Sequence, residues 1–101
     1  MAYKIEKYIS KEELAAFCHR NHIRKIALFG SALRDELKPD SDIDLLVEFE
    51  THHVPGLISL AGMEIELTGI LGRKVDIRTA RDLSRYFRDE VVRTSEVQYE
   101  A

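Results

Sequence analysis

The sequence predicts an α/β fold, a three-stranded sheet flanked by four helices in the order helix, strand, helix, strand, helix, strand, helix. Three observations lead there. Apolar runs at 26–29 and 45–47 are too short for helices, the first ending in Gly30-Ser31 and the second opened by Asp42-Ile43-Asp44. Apolar residues recur at helical spacing in 14–18, 57–71 and 83–91, and Arg73 to Arg78 alternates polar with apolar as a half-buried strand does. A chain of 101 residues, 45% hydrophobic and 33% charged, has enough apolar side chain for one core and little for a second, so a single domain over residues 1–101 is expected.

The first helix starts at Ser10, where Ser10-Lys11-Glu12-Glu13 has the form of a capping box and Ile9 with Leu14 forms the matching hydrophobic staple. Leu14, Phe17 and Cys18 make its apolar stripe, and Asn21 is its stop. The strand from Ile26 to Phe29 ends in Gly30-Ser31. Ten residues then hold a short helix and a Lys38-Pro39-Asp40 turn before Asp42-Ile43-Asp44 opens a second apolar run through Leu45, Leu46 and Val47. Thr51 to Gly56 is a loop punctuated by Pro55. Leu57 to Leu71 reads as a helix ended by Gly72, with Leu57, Leu60, Ala61, Leu67, Ile70 and Leu71 on its apolar face. Val75 and Ile77 face the core from the third strand. A closing helix begins at the capping-box pattern Thr79-Ala80-Arg81-Asp82 and carries Leu83, Tyr86, Phe87 and Val91. Tyr86, Phe87, Val97 and Tyr99 read as core or partner-facing surface.

Composition removes several function classes. A net charge of −3 argues against a nonspecific nucleic-acid binder, so no direct nucleic-acid partner is expected. One cysteine, Cys18, permits no intrachain disulfide and reads as a small buried hydrophobe in a reducing compartment. The N-terminus lacks an apolar signal core and no run approaches the roughly 18 apolar residues of a membrane span, so a cytoplasmic protein without membrane contact is expected. His19 and His22 sit three apart with no cysteine or acid at matching spacing, and read as a solvated pair. His52 and His53 follow the carboxylate-bearing strand and are candidates to touch a bound nucleotide.

The chemistry concentrates between Ile26 and Glu48. Strand side chains alternate, so Asp42 and Asp44 project to one face while Ile43, Leu45 and Val47 project to the other. Like charges at i and i+2 on one face repel and aspartate is a poor strand former, so the pair needs a reason other than the fold. A divalent cation supplies one. Gly-Ser alone is an ordinary turn, but Gly-Ser followed at fixed spacing by Asp-x-Asp arises by chance in roughly one chain in a thousand of this length. Asp76, outward between Val75 and Ile77, becomes a third member if its strand lies beside the second. Three carboxylates form an all-oxygen site suited to Mg²⁺ or Mn²⁺, and two such ions about 3.5–4 Å apart serve in-line displacement at phosphorus. Gly30 lets the backbone approach a phosphate, and the Ser31 hydroxyl and the N-terminus of the short helix can bind it. Arg34, one turn on, can reach the same anion or pair with Asp35 or Asp40.

Gly30-Ser31, ten residues, Asp42-x-Asp44 and a later-strand Asp76 resemble the minimal nucleotidyltransferase family of the DNA polymerase beta-like superfamily. The similarity covers nearly the whole chain, and SDIDLLVEF is its most specific segment. The resemblance implies the minimal nucleotidyltransferase fold with a mixed sheet, and an ATP-dependent enzyme using two Mg²⁺ ions. It matches Asp42 and Asp44 to the acids that bind both ions. It matches Asp76 to a third acid that binds one ion and helps deprotonate the acceptor, and Gly30 with Ser31 to the phosphate-holding pair. It also implies a partner, a HEPN-domain ribonuclease toxin on which such proteins place AMP at a tyrosine, acting as antitoxins. Asp35 and Glu36 depart from the glycine that related sequences carry after the arginine of the short helix.

Two alternatives stand beside the protein-modifying enzyme. One is an antitoxin that neutralises its partner by binding alone; a pure binder has no need of Gly30, Ser31, Asp42, Asp44 and Asp76. The other is an enzyme acting on a small hydroxylated molecule, against which the lack of room for a substrate domain weighs. With no such domain, the acceptor is expected on a separate protein docking beside the open site, with the exposed parts of the last helix as contact surface.

Overall fold

The computed structural model describes residues 5–30 and 42–101. The expected short helix, with Ser31 and Arg34, lies outside the described residues. Ser10 caps α1 (Lys11–Arg20), its hydroxyl accepting the Glu13 N–H at 3.1 Å. Ile9 and Leu14, the two ends of the staple, are both buried. Strand β1 (Ile23–Phe29) leads to Gly30, and β2 (Ile43–Phe49) returns antiparallel to it. Helix α2 (Leu57–Leu71) ends at Gly72, whose φ of 71° is the left-handed cap that glycine adopts most easily. Strand β3 (Val75–Arg78) then lies parallel to β2.

Two expectations for the closing segment are corrected. Thr79 and Asp82 do form a capping box, but it closes only a three-residue 3-10 turn, Ala80–Asp82. Leu83 is extended and buried, and the α-helix proper, α3, spans Arg88–Thr94. The single helix expected from Thr79 is broken because Leu83 is drawn into the protein. The Arg88 guanidinium holds the break by donating to the carbonyls of Leu83 at 3.0 Å and Arg81 at 3.4 Å. The chain then forms a fourth strand, β4 (Glu96–Glu100), antiparallel to β1. The sheet therefore has four strands in the order β3-β2-β1-β4, not three. Three α-helices are found among the described residues. Ile26, Ala27 and Leu28 of β1 are at most 1% exposed, so β1 needs ladder partners on both sides, and β4 supplies the second.

The core fills one side of this sheet. Leu14, Phe17 and Cys18 of α1 and Met63, Leu67 and Leu71 of α2 pack with Ile26, Leu28, Ile43, Leu45, Val75 and Ile77. Burial pushes the Cys18 thiol up to about 12, which makes it an inert core group. The apolar face expected for α2 is right at Leu67 and Leu71 and wrong at Leu57, Ala61 and Ile70, which are exposed, Leu57 to 86% with its neighbour Ile58 at 90%. This helix is apolar nearly all round, so periodicity does not select the buried side.

Strand β3 is an edge, and α2 covers it with polar atoms. The Val75 N–H donates to Thr68 Oγ1 at 3.0 Å and the Ile77 N–H to Glu64 Oε2 at 2.7 Å. Glu64 and Thr68 lie one helical turn apart, and the residue between the two anchored amides is Asp76. Replacing Thr68 by Val keeps the shape but strands a partly buried N–H. The variant is expected to lose about 1–3 kcal/mol in urea unfolding. An unchanged midpoint and slope would show that the bond contributes nothing.

Candidate functional site

Register assembles the site. Parallel pairing sets Ile43 opposite Val75, Asp44 opposite Asp76 and Leu45 opposite Ile77. Paired residues on neighbouring strands project to the same side, so Asp44 and Asp76 share the face away from the core, and Asp42 joins them by alternation. On β1 the partner of Asp44 is Phe29, which brings the Asp44 side chain over the following residue, Gly30. Gly30 has a φ of +70°, and a Cβ built there would sit 2.7 Å from Asp44 Oδ2. Glycine is thus required twice, for the backbone turn and for the space its hydrogen leaves to the carboxylate.

Electrostatics report the same convergence. The half-buried Asp44 carboxyl is raised above its ordinary value by burial first, then by the negative charges of Asp76 and Asp42, while the Arg78 cation pulls it partly back. The structure therefore brings Gly30, Asp42, Asp44 and Asp76 together, with Arg78 nearby. Ser31 and Arg34 lie outside the described residues. The donors are all carboxylate oxygens, half-buried or exposed and mutually repelling, which fits a hard cation such as Mg²⁺ or Mn²⁺. Among the described residues, the three aspartates do not bring their oxygens within 4.8 Å of one another, so binding one ion by all three takes side-chain rotation.

Beyond the carboxylates, the same sheet face borders a cleft of about 450 Å³ whose lining includes Ala27, Leu46, Glu48, His52, Thr79 and Val92. Its size and apolar walls are those of a small-molecule site. His52 reaches this cleft, whereas His53 turns to the far end of β1, where its ring stacks on His22. Glu64 and Thr68, which fix the strand carrying Asp76, were not recognised from sequence. The available signal was a polar pair at i and i+4 within an otherwise apolar helix.

A sequence profile described as a nucleotidyltransferase domain matches residues 10–99. Protein adenylyltransferase MntA of Thermococcus cleftensis is 44% identical over 55 residues, 54% of this chain and 54% of that protein. The match thus spans about half the length of that relative. A Methanocaldococcus jannaschii protein assigned by inference as a protein adenylyltransferase is 30% identical over 81% of this chain and 86% of its own length. Among solved structures, one assigned as a minimal nucleotidyltransferase superposes with a TM-score of 0.69 at 36% identity, covering 84% of this chain and 85% of that one. A tri-AMPylated HEPN toxin of Shewanella oneidensis in complex with MNT antitoxin gives a TM-score of 0.59 at 20% identity, covering 90% and 70%, and shares the fold.

The raised Asp44 carboxyl has a consequence for stability. Asp44 holds its proton more tightly folded than unfolded, so stability falls as pH rises through that window, and the penalty is complete above the folded value. Asp44→Asn removes the penalty. In a chelating buffer the variant is expected to melt above the parent at pH 7, with the gap closing as pH falls to the ordinary carboxylate value of about 3.9. A variant that melts lower at pH 7, or a gap independent of pH, would contradict the crowding of charge described here.

Proposed function

This chain belongs to the nucleotidyltransferase domain family, as a minimal nucleotidyltransferase, and from that premise we propose that it moves AMP from ATP to a tyrosine hydroxyl of a HEPN-domain toxin, acting as an antitoxin. The single observation that carries the proposal is the convergence of Asp42, Asp44 and Asp76 above Gly30. Nothing in the packing of the sheet calls for three acids there, and a metal-dependent phosphoryl site does.

In this reading Asp42 and Asp44 would hold two Mg²⁺ ions and Asp76 would help hold one of them. When bound, the ions neutralise phosphate charge and steady the attacking and leaving oxygens. Asp76 takes the proton of the acceptor hydroxyl, whose oxygen bonds to the α-phosphorus as the bond to pyrophosphate breaks. Gly30 keeps side-chain bulk away from the triphosphate, Ser31 donates to it, and Arg34 adds a cation. The neighbouring cleft has room for the nucleoside. Arg78 lies near enough to pull on the Asp44 carboxyl and so tempers the repulsion among the acids.

The relatives' name, protein adenylyltransferase, supports AMP as the transferred group. The HEPN–MNT complex, whose antitoxin has this fold, supports the partner class. Exposed apolar side chains suit docking of another protein: Leu57, Ile58 and Ile65 on α2, and Tyr86 with Phe87 before α3. No helix among the described residues is long and apolar enough to cross a membrane. An ATP donor and a reduced, buried Cys18 fit a cytoplasmic setting.

The same exposed apolar row favours a second reading, neutralisation by binding alone, and one pair of variants separates the two. Asp42→Asn and Asp76→Asn are expected to lower AMP transfer to a HEPN partner by at least about a hundredfold, read as adenylate added to the partner by mass spectrometry. Transfer at the parent rate would remove the mechanism. Protection of cells by the same variants would favour binding alone. Mg²⁺ with ATP is also expected to raise the melting temperature, by about 2.7 kcal/mol of added stability at a hundred times Kd. A flat response at millimolar concentrations would count against the site.

A further inference from the structure

A second cluster of ligating side chains stands at the opposite end of the β1–β2 pair. His22 precedes β1, and its carbonyl accepts the N–H of Glu50 just after β2 at 2.8 Å. The chain then turns tightly, with the His53 N–H donating to the Glu50 carbonyl at 3.0 Å. These two backbone bonds bring three side chains together from well-separated positions. His22 Nδ1 lies 3.2 Å from Glu50 Oε2, and the His53 ring stacks on the His22 ring at 4.0 Å with an interplanar angle of 13°. One ligand atom from each of the three lies within 4.8 Å of the other two, the only such trio among the described residues. His22 and the turn residue His52 both adopt left-handed backbone, with φ of 56° and 68°, a conformation that concentrates at functional positions.

We propose that His22, Glu50 and His53 form a binding site for a borderline divalent ion such as Zn²⁺, separate from the aspartate site. An ion pair accounts for His22 and Glu50 alone. It does not account for the second imidazole, whose ligand atom lies within 4.8 Å of those of His22 and Glu50. Two imidazoles and a carboxylate are a donor set that zinc and its neighbours take in preference to Mg²⁺, with a fourth position left for water. All three side chains are exposed, so closing to the roughly 3.3 Å donor spacing of a tetrahedral zinc site requires only side-chain rotation. Seven residues of β1 separate His22 from Gly30, about 26 Å at strand rise, so neither site shares a ligand with the other. A bound ion would clamp the start of the 51–56 loop, whose His52 and Val54 border the cleft.

The test is Co²⁺ titration of the metal-free full chain, followed by the visible ligand-field bands that imidazole coordination produces, with Zn²⁺ competition. The first equivalent of Co²⁺ is expected to give the imidazole bands and to be displaced by Zn²⁺, later equivalents at the aspartates adding only the weak bands of oxygen coordination. The affinity of the first is expected to fall as pH is lowered because the imidazoles must be deprotonated. His53→Ala and Glu50→Gln are expected to weaken binding by tenfold or more, with circular dichroism unchanged because the sites are exposed. Asp42→Asn and His19→Ala are expected to leave it intact. Absence of bands at millimolar Co²⁺ would overturn the proposal, as would bands that survive His53→Ala or vanish in Asp42→Asn.

Discussion

The parallel register of β2 and β3 is the constraint on which the rest depends. It sets Asp44 directly beside Asp76, with Val75 and Ile77 in the core and both acids outward. A shift of one residue would bury Asp76 and expose its apolar neighbours, so the hydrophobic pattern opposes that slip and keeps the acid outward. The core thus holds together charges that would separate if free to do so. That is the usual relation between a scaffold and a preorganised ion site.

Other parts of the molecule serve that register. Thr68 and Glu64 satisfy the outward amides of β3 and keep an edge strand of four residues from fraying. β1, buried on both faces and paired on both edges, is the stiff element from which Gly30 is presented to the Asp44 carboxylate. The helix α1 closes the core behind it. What is left exposed is apolar in places, along α2 and before α3.

Legibility in the sequence followed the range of the interactions. The Ser10 cap, the Gly72 stop and the alternation of Asp42 with Ile43 are local, and each was readable from a few neighbouring residues. That Asp76 shares the face of Asp44 depends on pairing between strands more than thirty residues apart, which alternation allows but does not determine. β4 was hidden because Val97 and Tyr99 are its only apolar residues and its reason for existing is the open edge of β1. The split of the closing helix turns on Leu83 finding room in the core, and the exposed side of α2 on which neighbours happen to pack. His22 read as half of a solvated pair with His19 because its acid, Glu50, lies 28 residues on, just after β2. Ser31 and Arg34 lie outside the described residues.

The central claim is that fold-enforced proximity of carboxylates creates the demand for a cation. A carboxyl-carbon NMR titration of Asp44, metal-free and with Mg²⁺, tests it most directly. Asp44 is expected to show an apparent pKa above the ordinary carboxylate value of about 3.9 without metal, lowered by Asp76→Asn, and a marked fall on adding Mg²⁺. An ordinary value indifferent to both the substitution and the ion would contradict it.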